Sequence, residues 1–261
     1  MKVKILLDDG VPKVPRERVE RVVREAGIDI ASRSPDVGIV VGGDGVFGRF
    51  GQTESIPLLF VGVRSESATG SKAYLASVLM DELPKALLEL TAGRYKVRHS
   101  NRLEVLKNGR SLGMVFTDAY LQRGAESNCI RYRVKVSGER SFQDEAIGDG
   151  VVVTTAAGST GYYSYPDKMR GEGLDPAGHT LLSEDQVGIC HIIPTYAVRR
   201  GTAEHPLRYA VPWGSKVELS ITRRADARLY GVCPYRAGVR VSLGEKISIR
   251  PSKKTTRIVV L

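Results

Sequence analysis

One acidic residue, Asp44, lies among glycines directly after a strongly apolar stretch. Residues 37–41 have the sequence VGIVV, which predicts a buried strand, and residues 42–45 continue with GGDG. Glycines such as Gly43 and Gly45 let the backbone approach a ligand closely. A carboxylate held between them can reach a hydroxyl group or a metal ion. The pattern therefore indicates an active site around Asp44.

A partial echo of this pattern occurs in the second half of the chain. Residues 148–150 are GDG, a β-branched run follows at residues 151–155, and residues 156–161 are all small. Small residues can present backbone amides and hydroxyls to phosphate or ribose, and the tyrosines that follow can stack on a base. A tight bend between strand and loop is the simpler alternative. The candidate ligand contacts are Asp149, Gly158, Ser159, Thr160, Gly161, Tyr162 and Tyr163.

Three roles are open to Asp44 from the sequence alone. Aspartate is a favoured N-cap, so it could cap the next helix. Residues 43–48 also satisfy the GxGxxG pattern of a Rossmann domain, with Glu66 near the position of the ribose-binding acid, but a carboxylate in that turn would repel a pyrophosphate. In a kinase, Asp44 would accept the proton of a hydroxyl that attacks a terminal phosphate, while Mg²⁺ neutralises the phosphate charge. The kinase role uses the acid best. The sequence contains no GxxxxGK[ST] motif, so a Walker-type site is not indicated.

Composition narrows the class of protein. The chain has 261 residues, a net charge of +10 and 42% hydrophobic residues, so it can bury one large core or two smaller ones. The positive charge favours anionic partners such as nucleotides or polyphosphate, although a merely well-solvated surface explains it equally well. No alternation of basic and aromatic residues predicts nucleic-acid binding. Three widely spaced cysteines and no long apolar segment favour a cytoplasmic protein without a membrane span.

The N-terminal part of the chain predicts an α/β domain. Strands are expected at residues 3–7, 37–41 and 58–63, and a helix begins after Pro15 and ends at Gly27. A second helix is expected over residues 71–90, with an interruption at Pro84. Strands that alternate with helices indicate a parallel sheet.

The pattern changes near Tyr95, where β-structure takes over. A hairpin turn is predicted at Asn108 and Gly109, with a strand over residues 114–121 after it. A long loop is predicted over residues 164–182, which are rich in glycine and proline. We therefore predict an α/β nucleotide-binding domain at residues 1–95 and a β-rich substrate-binding domain at residues 96–261, whose last segment packs back on the first domain. Further alternating strands are expected at residues 103–106, 131–136, 217–221 and 246–249.

The two loops, taken in order, resemble the NAD kinase family, within a superfamily that includes diacylglycerol-kinase-like enzymes. Residues 42–45 match the GGDG motif, whose aspartate is the proton acceptor in the family, and Arg49 stands where the family often has a nucleotide-contacting arginine. Residues 149–162 resemble the DG…TPTGSTAY segment. Weaker likeness extends over most of the chain.

The chain departs from the family pattern at several positions. Val46 replaces the threonine of GGDGT, and Thr117 with Asp118 stands where the family has an Asn-Glu pair that binds adenine. The SAGGP sequence after GSTAY is absent, and Tyr230 stands where an aspartate is common. Thr117 and Asp118 are expected to contact the nucleotide, but the departures make the reaction type better supported than the acceptor.

The resemblance implies a two-domain fold with the dinucleotide in the cleft between the domains. It also implies phosphorylation of the adenosine-side 2′-hydroxyl of NAD, with ATP or polyphosphate as donor, Mg²⁺ or another divalent metal as cofactor, and assembly as a homodimer or homotetramer. The expected partners are small-molecule nucleotides. Two alternatives stay open: a kinase of the same fold acting on another hydroxyl-bearing metabolite, such as a nucleoside, sugar or lipid, and a non-catalytic protein that binds NAD or NADP.

Overall fold

The structure of the chain, a computed structural model, divides into two compact units. Unit 1 comprises residues 1–100 and 255–261, and unit 2 comprises residues 101–254. The structure describes residues 1–8, 10, 13–65, 70–171, 181–232, 234–235 and 237–261. Within these residues, no helix is long and apolar enough to cross a membrane.

Unit 1 contains a parallel sheet with helices, as the alternating sequence pattern predicts. Strands β1, β3 and β4 are hydrogen-bonded in parallel in the order β1-β3-β4, with β2 beside β1 and β5 beside β4. The elements are β1 (Lys2–Leu6), α1 (Arg16–Glu25), β2 (Asp29–Ile30), β3 (Val37–Gly42), α2 (Asp44–Thr53), β4 (Leu58–Gly62), β5 (Val78–Leu79), α3 (Leu83–Thr91) and the start of β6 (Lys96–Lys107).

The C-terminal residues of the chain complete this sheet. Ile258, near the end of the last strand, pairs in parallel with Leu58 of β4, and the hydroxyl of Thr256 donates a hydrogen bond of 2.6 Å to the carbonyl of Gly51. Residues 255–261 therefore belong to unit 1, although most of the last strand belongs to unit 2.

Tertiary packing, rather than intrinsic propensity, accounts for α2. The helix contains three glycines, which cost it stability in isolation. Phe47 is fully buried, and its ring stacks on that of Phe60 with the centroids 4.7 Å apart and the planes 4° from parallel. Such a pair contributes about 0.5–1.5 kcal/mol beyond the burial of its surface. The stack fixes α2 on the sheet and so fixes Asp44, its first residue.

The helix predicted over residues 71–90 is wrong in its first half. The helical part is α3, which begins at Leu83, and Pro84 lies in its first turn instead of interrupting it. Proline is tolerated there because the first helical amides have no intrahelical acceptor. Ala73 has a φ of +52°, which no α-helix accommodates, so residues 71–77 form the loop after β4.

Unit 2 is almost entirely antiparallel β-structure around one long strand. Strand β10 pairs with β9 through its first half, with β8 through its second half, and with β11 along its other edge. The elements are β7 (Arg110–Val115), β8 (Asp118–Arg123), β9 (Ile130–Ser137), β10 (Phe142–Thr154), α4 (Tyr165–Met169), β11 (Gln186–Arg199), β12 (Arg208–Pro212), β13 (Lys216–Ile221), β14 (Ala227–Tyr230), β15 (Val239–Val241) and β16 (Ile247–Val260).

Most of the β predictions are confirmed, with two corrections. The turn at Asn108 and Gly109 has positive φ at both residues and joins β6 to β7. The strand predicted over residues 114–121 is instead the end of β7 and the start of β8, separated at residues 116–117. The loop predicted over residues 164–182 contains the helix α4, and its residues 172–180 lie outside the described part of the chain, as does Glu66.

Candidate active site

The acidic loop of unit 1 lies at the carboxyl end of β3. In open parallel sheets, ligands bind beyond the carboxyl ends of the strands. Gly43 occupies the N-cap position of α2, and Asp44 is the first residue of the helix without making a capping bond to it. Asp44 therefore does not cap α2 in this structure.

The carboxylate of Asp44 is held from outside its own helix. The backbone amide of Leu75 donates to Oδ1 at 2.9 Å, and the hydroxyl of Ser71 donates to Oδ2 at 3.1 Å. The Ser71 oxygen in turn accepts the amide protons of Asp44 and Ala73, each at 3.2 Å. Each carboxylate oxygen has a second lone pair that can accept a further proton donor. Asp44 is thus fixed in place and still able to act as an acceptor.

The backbone of Gly43 needs the absence of a side chain. A Cβ atom at this position would lie 2.5 Å from the Ser71 oxygen and 3.3 Å from the Lys13 ammonium group. Gly45 has open space around it and is exposed. The loop therefore packs closely on Ser71 on one side and presents backbone on the other, with a lysine ammonium beside it.

Arg49 is turned toward the end of β1. Its guanidinium donates to the carbonyl of Leu7 at 3.0 Å, lies 3.8 Å from the carboxylate of Asp8, and sits over the ring of Phe50 at 4.5 Å. The side chain is only 17% exposed. In this structure Arg49 holds the carboxyl end of β1, and a nucleotide contact by this residue stays a prediction.

The small-residue loop of unit 2 packs tightly on the residue before β8. The carbonyl of Thr117 accepts hydrogen bonds from the amide of Thr155 at 2.9 Å and from the hydroxyls of Thr154 and Thr155 at 3.2 and 3.1 Å. A Cβ on Gly158 would lie 2.6 Å from that same carbonyl oxygen. Glycine at position 158 is therefore required for the loop to close on Thr117.

Several of the predicted ligand contacts are used inside the loop. The hydroxyl of Ser159 is fully buried, donates to Ala156 at 2.7 Å and accepts the amide proton of Leu181 at 2.9 Å. Thr160 is 7% exposed and Tyr163 is 5% exposed. These three residues build the loop from within, and a direct ligand contact by any of them stays a prediction.

Tyr162 is the tyrosine of this loop that faces outward. It is 46% exposed, and its ring lies 5.3 Å from that of Tyr120. Tyr120 stacks in turn on Tyr230 at 5.4 Å, and the Tyr230 ring lies close to Gly238, where a Cβ would be 2.6 Å from it. We call Tyr120, Tyr162 and Tyr230 the tyrosine stack. The ring of Tyr162 is inclined by 56° to that of Tyr120, and its exposure leaves it available to a flat ligand.

Asp118 opens β8 beside this stack and pairs in register with Thr154. A Cβ on Gly161 would lie 3.6 Å from its Oδ2, so the carboxyl lies close to the loop that carries Tyr162. Desolvation raises the pKa of Asp118 to about 7. The pKa of Tyr120 is raised to about 12, first by desolvation and second by the charge of Asp118.

Asp149 forms an ion pair with its neighbour across the strands. Its Oδ1 lies 2.8 Å from Nε of Arg123, and its side chain is 19% exposed. A contact of Asp149 with a sugar hydroxyl, which the sequence pattern predicts, stays a prediction.

The segment that replaces SAGGP is a short helix fastened to the loop. Asp167 of α4 accepts a hydrogen bond of 2.8 Å from Arg208, and this bond lowers the pKa of the Asp167 carboxyl. Lys168 donates to the carbonyl of Thr160 at 3.0 Å, and the hydroxyl of Ser164 donates to the same carbonyl at 2.9 Å. Residues absent from the family motif thus support the loop by other contacts.

Sequence reasoning missed Ser71 and Tyr120. Ser71 falls in a predicted helix, although its position soon after the carboxyl end of β4 is where a ligand loop is expected in a parallel sheet. Tyr120 is two residues after Asp118 on one strand, and this spacing puts both side chains on the same face. That alternation is the signal that could have found it.

No protein-family model matches the chain. A curated relative, the NAD kinase of Thermoplasma volcanium, is 26% identical over 233 residues, which cover 89% of this chain and 76% of the relative. The chain is also similar to the NAD kinase of Magnetococcus marinus, which is 29% identical over 231 residues, 86% of this chain and 68% of that relative. Among the residues that the structure describes, no group of three or more His, Cys, Asp or Glu side chains forms a metal cage.

Two solved structures of NAD kinase family enzymes share the fold. Yeast NADH kinase in complex with NADH superposes with a TM-score of 0.70 at 15% identity, covering 100% of this chain and 83% of that one. An NAD kinase from Archaeoglobus fulgidus in complex with ATP superposes with a TM-score of 0.69 at 18% identity, covering 99% and 93%. The predicted fold, an α/β domain with a parallel sheet followed by a β-rich domain, is confirmed.

Proposed function

We propose that this chain is an NAD kinase, which transfers a phosphoryl group to the 2′-hydroxyl of the adenosine ribose of NAD and so produces NADP. The observation that carries the proposal is Asp44, a carboxylate fixed by two hydrogen bonds among glycines at the carboxyl end of a parallel strand. The names of the relatives support NAD as the acceptor over another hydroxyl-bearing metabolite and over a non-catalytic role.

In this proposal Asp44 is the general base. The ribose hydroxyl donates its proton to Asp44 as its oxygen attacks the terminal phosphorus of the donor, and the leaving phosphate departs on the opposite side. The hydrogen bonds from Leu75 and Ser71 hold the carboxylate in one orientation, which lowers the entropic cost of reaching the reactive geometry. The backbone of Gly43 and Gly45 and the ammonium group of Lys13 would bind phosphate oxygens.

Within unit 2, Tyr162 would stack on the adenine, and Asp118 would contact its edge. Thr117 supports the loop through its carbonyl, and the amides of Gly158 and Gly161 would contact ribose or phosphate. Asp149, oriented by Arg123, would accept a hydrogen bond from a ribose hydroxyl. These roles follow the exposures and contacts of the described side chains.

The donor and the metal belong to the same proposal. The A. fulgidus relative was solved with ATP, which supports ATP as the donor, and polyphosphate is the alternative. Mg²⁺ is commonly bound by one or two carboxylates together with substrate phosphates, so Asp44 with the donor phosphates fits the ion without an all-protein cage. When bound, the metal would neutralise charge on the transferred phosphate. We also propose that the protein is cytoplasmic and that it forms a homodimer or homotetramer. Light scattering, which measures the mass of the assembly, would test the oligomeric state.

The deciding experiment combines product analysis with one substitution. The protein is incubated with NAD, Mg²⁺ or Mn²⁺, and either ATP or polyphosphate, and the product is identified by mass. We expect NADP from the wild type and a loss of turnover of at least about 10²-fold in Asp44→Asn, because general-base catalysis contributes roughly 10²–10⁴-fold. An Asp44→Asn enzyme that folds and turns over at near the wild-type rate would exclude the mechanism. Preferred phosphorylation of another acceptor in a panel would exclude NAD as the substrate.

A further inference from the structure

Asp149 lies at the point where β10 changes its neighbours. On one edge, β10 pairs with β9 up to Gly148 and with β8 from Gly150 onward. On the other edge, Ile193 of β11 lies between the partners of those two glycines and has a φ of +42°. A β-branched residue rarely adopts such a backbone conformation. Regular ladder pairing is therefore interrupted at Asp149 on both edges of β10.

The backbone beside this interruption is held by a buried side chain. Tyr132 of β9 is 0% exposed, and its hydroxyl donates a hydrogen bond of 2.6 Å to the carbonyl of Gly150. A Cβ atom on Gly150 would overlap the carbonyl oxygen of Leu121, so β8 packs closely on the same residue. The residue that follows Asp149 is thus enclosed between β8 and the Tyr132 hydroxyl.

The Tyr132 hydroxyl is held in turn by His191 of β11. A carbonyl oxygen can only accept, so the single proton of this hydroxyl is used in the bond to Gly150. Nδ1 of His191 lies 2.9 Å from the hydroxyl oxygen and must therefore be the donor. The His191 ring is 0% exposed, and its Nε2 lies 3.8 Å from Oδ2 of Asp144. A chain of buried donors thus runs from His191 through Tyr132 to the Gly150 carbonyl.

We propose that Tyr132 and His191 are positioning residues for the binding of NAD. Tyr132 fixes the backbone that directs the Asp149 carboxylate toward the ribose, and His191 fixes the Tyr132 hydroxyl. This inference rests on the proposed function, because it takes Asp149 as the ligand of a ribose hydroxyl. Arg123 holds the Asp149 side chain at 2.8 Å, but a side chain is directed only as well as the backbone that carries it.

Removal of one hydroxyl tests the proposal. Tyr132→Phe keeps the ring and loses the bond to Gly150, so we expect KM for NAD to rise about fivefold, the factor for one hydrogen bond of ordinary strength. The value of kcat should be nearly unchanged, because Asp149 contributes to binding and not to the chemical step. Val136→Ala is the control: this buried residue lies on the same face of β9, and its loss should lower thermal stability without changing KM.

A pair of substitutions at His191 provides a second measurement, which also serves if Tyr132→Phe does not fold. His191→Leu removes the donor to the Tyr132 hydroxyl and should raise KM for NAD by about as much as Tyr132→Phe. His191→Asn places an amide donor close to the position of Nδ1 and should restore KM to near the wild-type value. A role in packing alone predicts the opposite order, because leucine fills the site better than asparagine does.

A double-mutant cycle shows whether the effect passes through Asp149. Tyr132 and Asp149 make no direct hydrogen bond, so their coupling would have to be carried by the backbone of Gly150. We expect Asp149→Ala to raise KM by itself and Tyr132→Phe to add little in that background. Losses that multiply in the double variant would overturn the proposal, because Tyr132 would then act by another route.

The outcomes separate this inference from the proposed function. If the wild type forms NADP and Tyr132→Phe keeps the wild-type KM, the positioning role is wrong and the kinase activity stands. A fall in kcat at constant KM would overturn the positioning role as well. If the wild type neither binds NAD in calorimetry nor forms NADP, the proposed function fails, and the inference fails with it.

Discussion

The hydroxyl group of Ser71 donates a hydrogen bond of 3.1 Å to Oδ2 of Asp44, and its oxygen accepts the amide proton of Asp44 at 3.2 Å. One serine thus fixes both the backbone and the side chain of the proposed base. The close approach of Ser71 to Gly43 has the same effect on the preceding residue. Residues after β4 therefore determine the geometry of a loop that follows β3.

Replacing Ser71 with alanine should lower kcat and leave KM for NAD nearly unchanged. The carboxylate would keep one of its two hydrogen bonds and lose its orientation, and small misplacements of a catalytic group cost up to about 10²-fold in rate. Ser71→Thr keeps the hydroxyl and should recover most of the rate. Ser55→Ala, at an exposed position in unit 1, is the control. Steady-state kinetics would check this, and a Ser71→Ala enzyme with wild-type kcat would argue against a positioning role.

Removal of the Tyr162 ring should weaken binding of NAD without changing the fold. Tyr162 is the outward-facing member of the tyrosine stack, and base stacking on an aromatic side chain contributes about 1–3 kcal/mol. We expect Tyr162→Ala to raise the dissociation constant for NAD accordingly, whereas Tyr162→Phe, which keeps the ring, should bind nearly as tightly as wild type. Equal losses in both variants would show that the hydroxyl, not the ring, makes the contact.

Local sequence patterns were sufficient for several of the strands and for the acidic loop. A continuous apolar run before Asp44 and an alternation of apolar and polar residues along β9 and β13 each predict a strand from neighbouring residues alone. The hairpin turn at Asn108 is likewise predicted from two residues. The roles of Ser71 and Ser159 could not be obtained in this way. Their hydroxyls look alike in the sequence, and only the fold shows that one holds the proposed base while the other is buried within its own loop.

The predicted helix over residues 71–90 began too early for a related reason. Residues 71–90 contain apolar residues at helical spacing, but Ser71 and Leu75 are needed as partners of Asp44, and the positive φ of Ala73 turns the chain to bring them there. A contact with another element therefore overrides the local preference for helix. Departures of this kind are expected where a site is built.

Alanine at position 158 should destabilise unit 2. The new methyl group would overlap the carbonyl oxygen of Thr117 and the hydroxyl of Thr154, and overpacking of this kind costs about 1–3 kcal/mol. Gly214→Ala is the matched control, because a Cβ there meets no atom within 4 Å. Thermal unfolding would check the difference. A Gly158→Ala protein as stable as Gly214→Ala would mean that the loop can move away from Thr117 at little cost.

A buried carboxylate in unit 2 predicts how stability depends on pH. Asp144 is 0% exposed and accepts hydrogen bonds from Nε of Arg199 at 2.9 Å and from the hydroxyl of Tyr209. Desolvation acts to raise the pKa of Asp144, but the interaction with His191, whose Nε2 lies 3.8 Å away, and the hydrogen bonds from Arg199 and Tyr209 outweigh it, so the pKa is lowered. Because the folded state favours the ionised form, this group stabilises the protein above its unfolded pKa of about 4.

The stabilisation by Asp144 should therefore disappear as pH falls from about 4 through the lower folded pKa. Asp144→Asn should cost about 1–3 kcal/mol near neutral pH, because it removes the buried acceptor of the bonds from Arg199 and Tyr209, while Glu204 still pairs with Arg199 at 2.7 Å. The neighbouring Glu145 is exposed and lies 3.2 Å from Arg133, so Glu145→Gln should cost less than about 1 kcal/mol. Denaturant unfolding of the three proteins at several pH values would measure both effects. If wild type and Asp144→Asn lost stability in parallel below pH 4, the acid sensitivity would have to come from other carboxylates.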